Sequence, residues 1–245
     1  MKRSNLIHAA LAALFSVAAA ACLFADDKSG SSATVAAGKD EAGFQSLFDG
    51  KTLNNWEGRE GFWRVEDGCI VGQTKEAFKG PNTFLVYKGG DVSDFELRLE
   101  YKITGGNSGV QYRSKVIDPK LFRVGGYQAD FEAGTTYSGI NYEELGRGIL
   151  AQRGTKVTLE SGGVKKEEKL PMTSEQLQKA IKQNDWNEYV ITAQGPHLTH
   201  RINGNVTSEV IDNSDKAVQS GVLALQLHAG PPMKVEFRNI RIKKL

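Results

Sequence analysis

The chain has 245 residues, of which 40% are hydrophobic and 24% charged, with 31 basic and 29 acidic side chains. That is room for one well-filled domain, and a near-neutral balance argues against nucleic acid or an acidic membrane surface as partner. With two cysteines and no CxxC, HExxH or phosphate-cradling glycine fingerprint, a disulfide framework and the familiar redox, metal and nucleotide motifs are excluded.

The N-terminus reads as a targeting segment. Lys2 and Arg3 precede an apolar run from Leu6 to Ala21, and small residues follow. This is the pattern of a secretory signal peptide over residues 1–25, cut after Ala25, rather than of a membrane span. Cys22 after three alanines offers a second reading, a lipid anchor on the cysteine, although Ala19 stands where such signals carry leucine. Loss of residues 1–25 removes Lys2 and Arg3 and leaves 29 charges of each sign. Residues 26–42 lack apolar periodicity and read as a flexible linker, so the folded domain is expected over 43–245, in an exported protein of the periplasm or cell envelope.

Strand signals dominate from there. Phe62–Glu66 and Cys69–Gly72 flank Asp67-Gly68, a hairpin turn pair. Thr83–Tyr87 is a short apolar run. Phe95, Leu97, Leu99, Tyr101 and Ile103 alternate with charged residues, as a half-buried strand requires. Val110–Arg113 and Tyr127–Glu132 follow. The segment Gly134–Gly154 has no clear period and reads as a long loop, and Ser161–Lys169 as a solvated turn. Thr173 and Gln176 have capping-box spacing ahead of one helix with Leu177, Ala180 and Ile181 on its apolar face. Tyr189–Ala193, Leu198–Ile202 and Val206–Ile211 form a meander with a turn at Asn203-Gly204, and Val222–His228 and Val235–Ile242 complete the set. Many strands and one short helix point to an all-β sandwich or barrel.

Three strands carry polar side chains two apart, hence on one face: Gln111 with Arg113, Gln128 with Asp130 and Glu132, and Gln226 with His228. Solvated outer faces carry mostly Lys, Glu and Thr, whereas these groups hydrogen-bond directionally and suit sugar hydroxyls. His228 or Asp130 is the candidate for proton transfer, Arg113 for an oxyanion. Gln111, Gln128, Glu132 and Gln226 are candidate sugar contacts, with Arg147 and Arg153 closing over the ligand from the long loop. A divalent metal held by Asp130 or Glu132 with His228 would be an alternative to the arginine. His197 and His200, three apart on a strand, point to opposite faces and make a poor metal pair.

The motifs Gly43-Phe44-Gln45-Ser46-Leu47-Phe48-Asp49-Gly50, Phe62-Trp63-Arg64-Val65-Glu66-Asp67-Gly68, Asn107-Ser108-Gly109-Val110-Gln111-Tyr112-Arg113, Gly126-Tyr127-Gln128-Ala129-Asp130 and Leu225-Gln226-Leu227-His228 stand in this order. Over residues 43–245 the chain resembles the 3-keto-disaccharide hydrolase domain family. The resemblance implies a concanavalin A-like jelly-roll β-sandwich with one concave face, and activity on 3-keto-glycosides. It implies functional roles for Arg113, for Gln128 and Asp130, and for Gln226 and His228. Leu227 and Gln128 depart from it, since many members carry an acidic residue at each place. A glycoside-cleaving enzyme, a non-catalytic lectin-like module and a cell-surface interaction protein anchored through Cys22 are the three readings. The expectation that follows is geometric: Gln111, Arg113, Gln128, Asp130, Gln226 and His228 line one pocket, capped in part by Tyr137–Gly154.

Overall fold

The computed structural model describes residues 42–245. The expected signal peptide, Cys22 and all but the last residue of the expected linker lie outside the described residues. The strands are, in chain order, Gln45–Ser46 (β1), Trp56–Glu57 (β2), Trp63–Glu66 (β3), Cys69–Thr74 (β4), Thr83–Tyr87 (β5), Phe95–Thr104 (β6), Asn107–Asp118 (β7), Arg123–Glu132 (β8), Asn141–Glu144 (β9), Gly148–Ala151 (β10), Thr155–Leu159 (β11), Lys165–Lys169 (β12), Asn187–Gln194 (β13), His197–Ile202 (β14), Asn205–Asp212 (β15), Val222–Leu227 (β16) and Met233–Lys244 (β17). One helix, Ser174–Lys179 (α1), carries the capping box: Thr173 accepts from the Gln176 backbone, and Gln176 returns the bond.

The strands form two sheets. One is ten-stranded, ordered β12-β11-β15-β14-β13-β6-β17-β4-β3 with β1 beside β17; the other is seven-stranded, ordered β10-β9-β8-β7-β16-β5-β2. Their inner faces share one core. Phe131 of β8 stacks on Tyr101 of β6 at 3.9 Å and meets Phe237 of β17 edge-on. Each such side chain removed from water contributes about 2 kcal/mol, which makes the alternation of β6 the strongest local determinant of which face turns inward. This is a jelly-roll β-sandwich, the concanavalin A-like fold that the sequence implies. Both hairpin turns form as the sequence implies, with positive φ at Asp67 and Gly68 and at Asn203 and Gly204.

Two segments differ from expectation. Gly134–Gly154 is not a long loop: β9 and β10 pair antiparallel and extend the seven-stranded sheet beyond β8. Their period is hidden because polar residues face inward. Asn141 is fully buried and donates to the Tyr112 hydroxyl, and Glu143 is claimed by Arg147. Ser161–Lys169 is a 3₁₀ turn followed by β12, an exposed edge strand paired with β11. Its Lys and Glu side chains are those an unpaired edge tolerates.

Candidate functional site

Tyr127, Ala129 and Phe131 fill the core, so Gln128, Asp130 and Glu132 point out of the seven-stranded sheet. Leu223, Leu225 and Leu227 do the same for Gln226 and His228 on β16. Beyond Gln226 the outer face is closed by a small second cluster of Phe84, Val86, Val124 and Ala224. The uncovered remainder is a cavity of about 450 Å³. Gln128, Asp130, Glu132, Gln226 and His228 line it, with Asn82, Asn107, Tyr137, Ile140, Tyr142, Glu144 and Ile149.

Its floor is a directed chain of hydrogen bonds. Ser114 Oγ donates to Gln111 Oε1 (2.6 Å), Gln111 Nε2 to Gln128 Oε1 (2.8 Å), and Gln128 Nε2 to Asp130 Oδ2 (2.9 Å). Asn107 Nδ2 donates to the other oxygen, Oδ1, at 2.6 Å. Such chains polarise one another in a low-dielectric setting. Burial pushes the Asp130 carboxyl up, the Asn107 and Gln128 donors pull it down, and the balance leaves its pKa at about 7. Gln226 is fully buried, and its Nε2 has no hydrogen-bond partner, an orphan donor at the edge of the cavity.

Asn82 ties the opposite wall together. Its Oδ1 accepts from the Ala229 N–H (2.9 Å) and its Nδ2 donates to Glu144 Oε1 (3.0 Å). The Ala229 carbonyl in turn accepts from His228 Nδ1 at 2.5 Å. A ring that donates through Nδ1 presents Nε2 as its acceptor. Burial raises the Glu144 pKa, opposed by the Asn82 bond and by nearby His228.

The remaining expected residues lie elsewhere. Arg113 is a correction: it is buried at 1% exposure and does not line the cavity. A bulge between Tyr112 and Lys115 inserts one residue, and Arg113 takes φ +45°. Ser114 therefore occupies the face that strict alternation assigns to Arg113. The guanidinium instead donates to the carbonyls of Ser93 (2.8 Å) and Gly195 (2.7 Å) and pairs with Asp94 (2.8 Å), clipping the two sheets together. Gln111, beside Gln128 on the neighbouring strand, is fully buried and does not line the cavity. Arg147 lies outside it as well, bound to Glu143 and Asp212, because β9 and β10 form a sheet edge and not a lid. Arg153 holds the loop after β8 by donating to the carbonyls of Ser138 (2.7 Å) and Thr135 (2.9 Å). Glu132 holds the same loop by accepting from the N–H groups of Thr136 and Tyr137.

Asp130 or Glu132 with His228, the expected holders of a metal, belong to no larger ligand cluster among the described residues. No cluster of three or more His, Cys, Asp or Glu side chains suited to a metal ion occurs among the described residues. Both Asp130 oxygens and one of Glu132 already accept hydrogen bonds within the protein. His197 pairs with Glu209 at the surface while His200 is buried in the core, on opposite faces as expected.

Residues 43–243 match the 3-keto-alpha-glucoside-1,2-lyase-like domain. The chain belongs to this family. Over 92 residues it is 36% identical to a 3-keto-disaccharide hydrolase of Bacteroides thetaiotaomicron, covering 33% of this chain and 31% of that one, so the match spans about a third of the relative's length. A candidate glycosyl hydrolase from Parabacteroides distasonis superposes with TM-score 0.54 at 22% identity, covering 83% of this chain and 94% of the other. The carbohydrate-binding module CBM66 of Bacillus subtilis superposes with TM-score 0.52 at 16% identity, covering 78% and 96%. A Bacillus subtilis protein of unknown function with a galectin-like fold gives a TM-score of 0.53 at 9% identity, covering 78% and 90%. These likenesses are of fold. Family membership supports a sugar as the ligand.

Sequence reasoning missed Asn82, Asn107, Tyr142 and Glu144 as cavity residues. Asn107 opens the Asn-Ser-Gly motif and shares a face with Gly109 and Gln111 by its spacing. Tyr142 and Glu144 share a face too, but polar residues on both sides of β9 erase the contrast. Asn82 precedes a strand and carries no local signal.

Proposed function

We propose that the domain cleaves 3-keto-glycosides by removing the C2 proton. A C3 ketone acidifies that proton, and its loss gives an enolate from which the C1 substituent leaves, forming a C1–C2 double bond. Water then adds across it to give the free 3-keto sugar. The observation that carries this reading is Asp130: a buried carboxyl, fixed by Asn107 and Gln128, whose pKa of about 7 suits a base at neutral pH. The orphan Nε2 of Gln226 is the donor for the ketone oxygen, the role Arg113 is too far displaced to fill. Glu144, its pKa raised by burial, gives a proton to the leaving oxygen. His228 Nε2 receives one from the incoming water.

Amides that grip hydroxyls also suit a binding module, and fold alone does not separate the two. The test is to incubate the purified domain with a 3-keto-glucoside and with 3-keto-trehalose, with and without EDTA. Release of 3-keto sugar supports the enzyme. Saturable binding without product supports the lectin-like module. Export follows from the N-terminal sequence as part of the same proposal. Mass spectrometry of the mature chain checks it: a start at Asp26 supports signal cleavage, and a lipidated Cys22 the anchor.

A further inference from the structure

A second cavity of about 550 Å³ lies beyond the edge strand β10. Ile149 lines both it and the first cavity. Cross-strand partners place Gln111, Gln128, Tyr142 and Ile149 in one row across the sheet. From Gln128 to Ile149 is two strand spacings, about 10 Å. Asp130 stands two residues along β8 from this row, and Ile149, where the sheet ends, joins the cavity beside Asp130 to the second one. There the bed is aliphatic: Ile149, Leu150, Leu159 and Val164, with Val164 61% exposed. The turn that carries Val164 is open, since nothing lies within 4 Å of a Cβ built on Gly162 or Gly163.

We infer that the second cavity is the subsite for the leaving group, and that it takes an apolar ring such as an aryl aglycone. The inference rests on reading the first cavity as the sugar site. A second hexose fits less well, because sugars stack on aromatic faces and none lines this cavity, whereas the first has Tyr137 and Tyr142. The volume is that of ordinary small-molecule sites. Five charged residues stand at its rim: Arg147 pairs with Glu143 and Asp212, Lys165 with Glu167, Glu160 and Asp215 accept hydrogen bonds from Asn213 and Ser161, and Lys216 is a further cation. An apolar ring lies on the aliphatic bed and leaves these rim groups in their own contacts.

The experiment is a titration of methyl-labelled protein, followed by NMR, with phenyl 3-keto-glucoside and with methyl 3-keto-glucoside. The phenyl compound should shift the methyl signals of Ile149, Leu159 and Val164 saturably, and the methyl compound Ile149 alone. Val164→Asp, a change at an exposed position, should weaken phenyl-glucoside binding about fivefold and leave methyl-glucoside binding unchanged. Unmoved Leu159 and Val164 signals, or equal loss for both compounds, would overturn the subsite. Failure to turn over either compound counts against the proposed reaction only, because the titration reads binding without chemistry.

Discussion

Gln128 lies over Gly109: a Cβ built on Gly109 would come within 2.6 Å of Gln128 Cγ and 2.9 Å of its Nε2. The missing side chain on β7 gives Gln128 the space to reach Asp130 and Gln226. Gly109→Ala should push the amide aside, leave Asp130 one donor short and raise its pKa above 7. Turnover should fall about a hundredfold with roughly 1–3 kcal/mol of stability. Kinetics beside denaturant melts would show it, and unchanged turnover would remove Gln128 from the account.

Arg113 gives the opposite expectation. Arg113→Gln leaves the Ser93 and Gly195 carbonyls short of their donor and should cost roughly 3 kcal/mol. Its kcat/KM at a temperature where the variant is folded should stay within about threefold of the parent. A large kcat loss in a stable Arg113 variant would restore the catalytic role implied by the sequence.

Much of this was legible in the sequence because burial follows parity. Tyr127, Ala129 and Phe131 against Gln128, Asp130 and Glu132 is a pattern that fixes which side faces out. Parity fails wherever a strand gains a residue. Nothing local to Tyr112-Arg113-Ser114 announces a bulge, so strict alternation assigns Arg113 to the wrong face. Parity is also mute where both faces are polar, as on β9, where Asn141 and Glu143 are buried through partners distant in sequence.

Asn82 is a positioning residue that reaches His228 through the Ala229 peptide and Glu144 directly. Asn82→Ala frees the Ala229 peptide and removes a bond that holds the Glu144 pKa down. kcat should drop about tenfold, and the alkaline limb of the pH profile should move upward as Glu144 keeps its proton longer. A merely structural role would lower stability and leave that limb in place.

Two buried groups oppose each other in the pH dependence of stability. Native Asp130 keeps its proton to about pH 7, while the unfolded carboxyl loses it near 3.8, so this group costs stability as pH rises through that window. Native His200 stays neutral to about pH 3, while the unfolded ring protonates near 6.5, so it costs stability as pH falls below 6.5. Between the two the slopes cancel, each being at most about 1.4 kcal/mol per pH unit. Asp130→Asn should unmask the histidine, with stability falling by roughly 1 kcal/mol per unit below pH 6.5. Denaturant melts from pH 4 to 7 read this, and parallel curves for the two proteins would contradict it.

The central claim is that Asp130 takes the C2 proton of a 3-keto-glycoside. The direct measurement is exchange of that proton with solvent in D₂O, followed by NMR on a 3-keto-glucoside, with the parent domain and with Asp130→Asn. The account predicts enzyme-dependent exchange or loss of the C2 signal with the parent, and a rate at least about a thousandfold lower for the variant, which still binds the sugar. Equal rates for the two proteins, or cleavage by the parent that leaves the C2 proton in the released sugar, would contradict it.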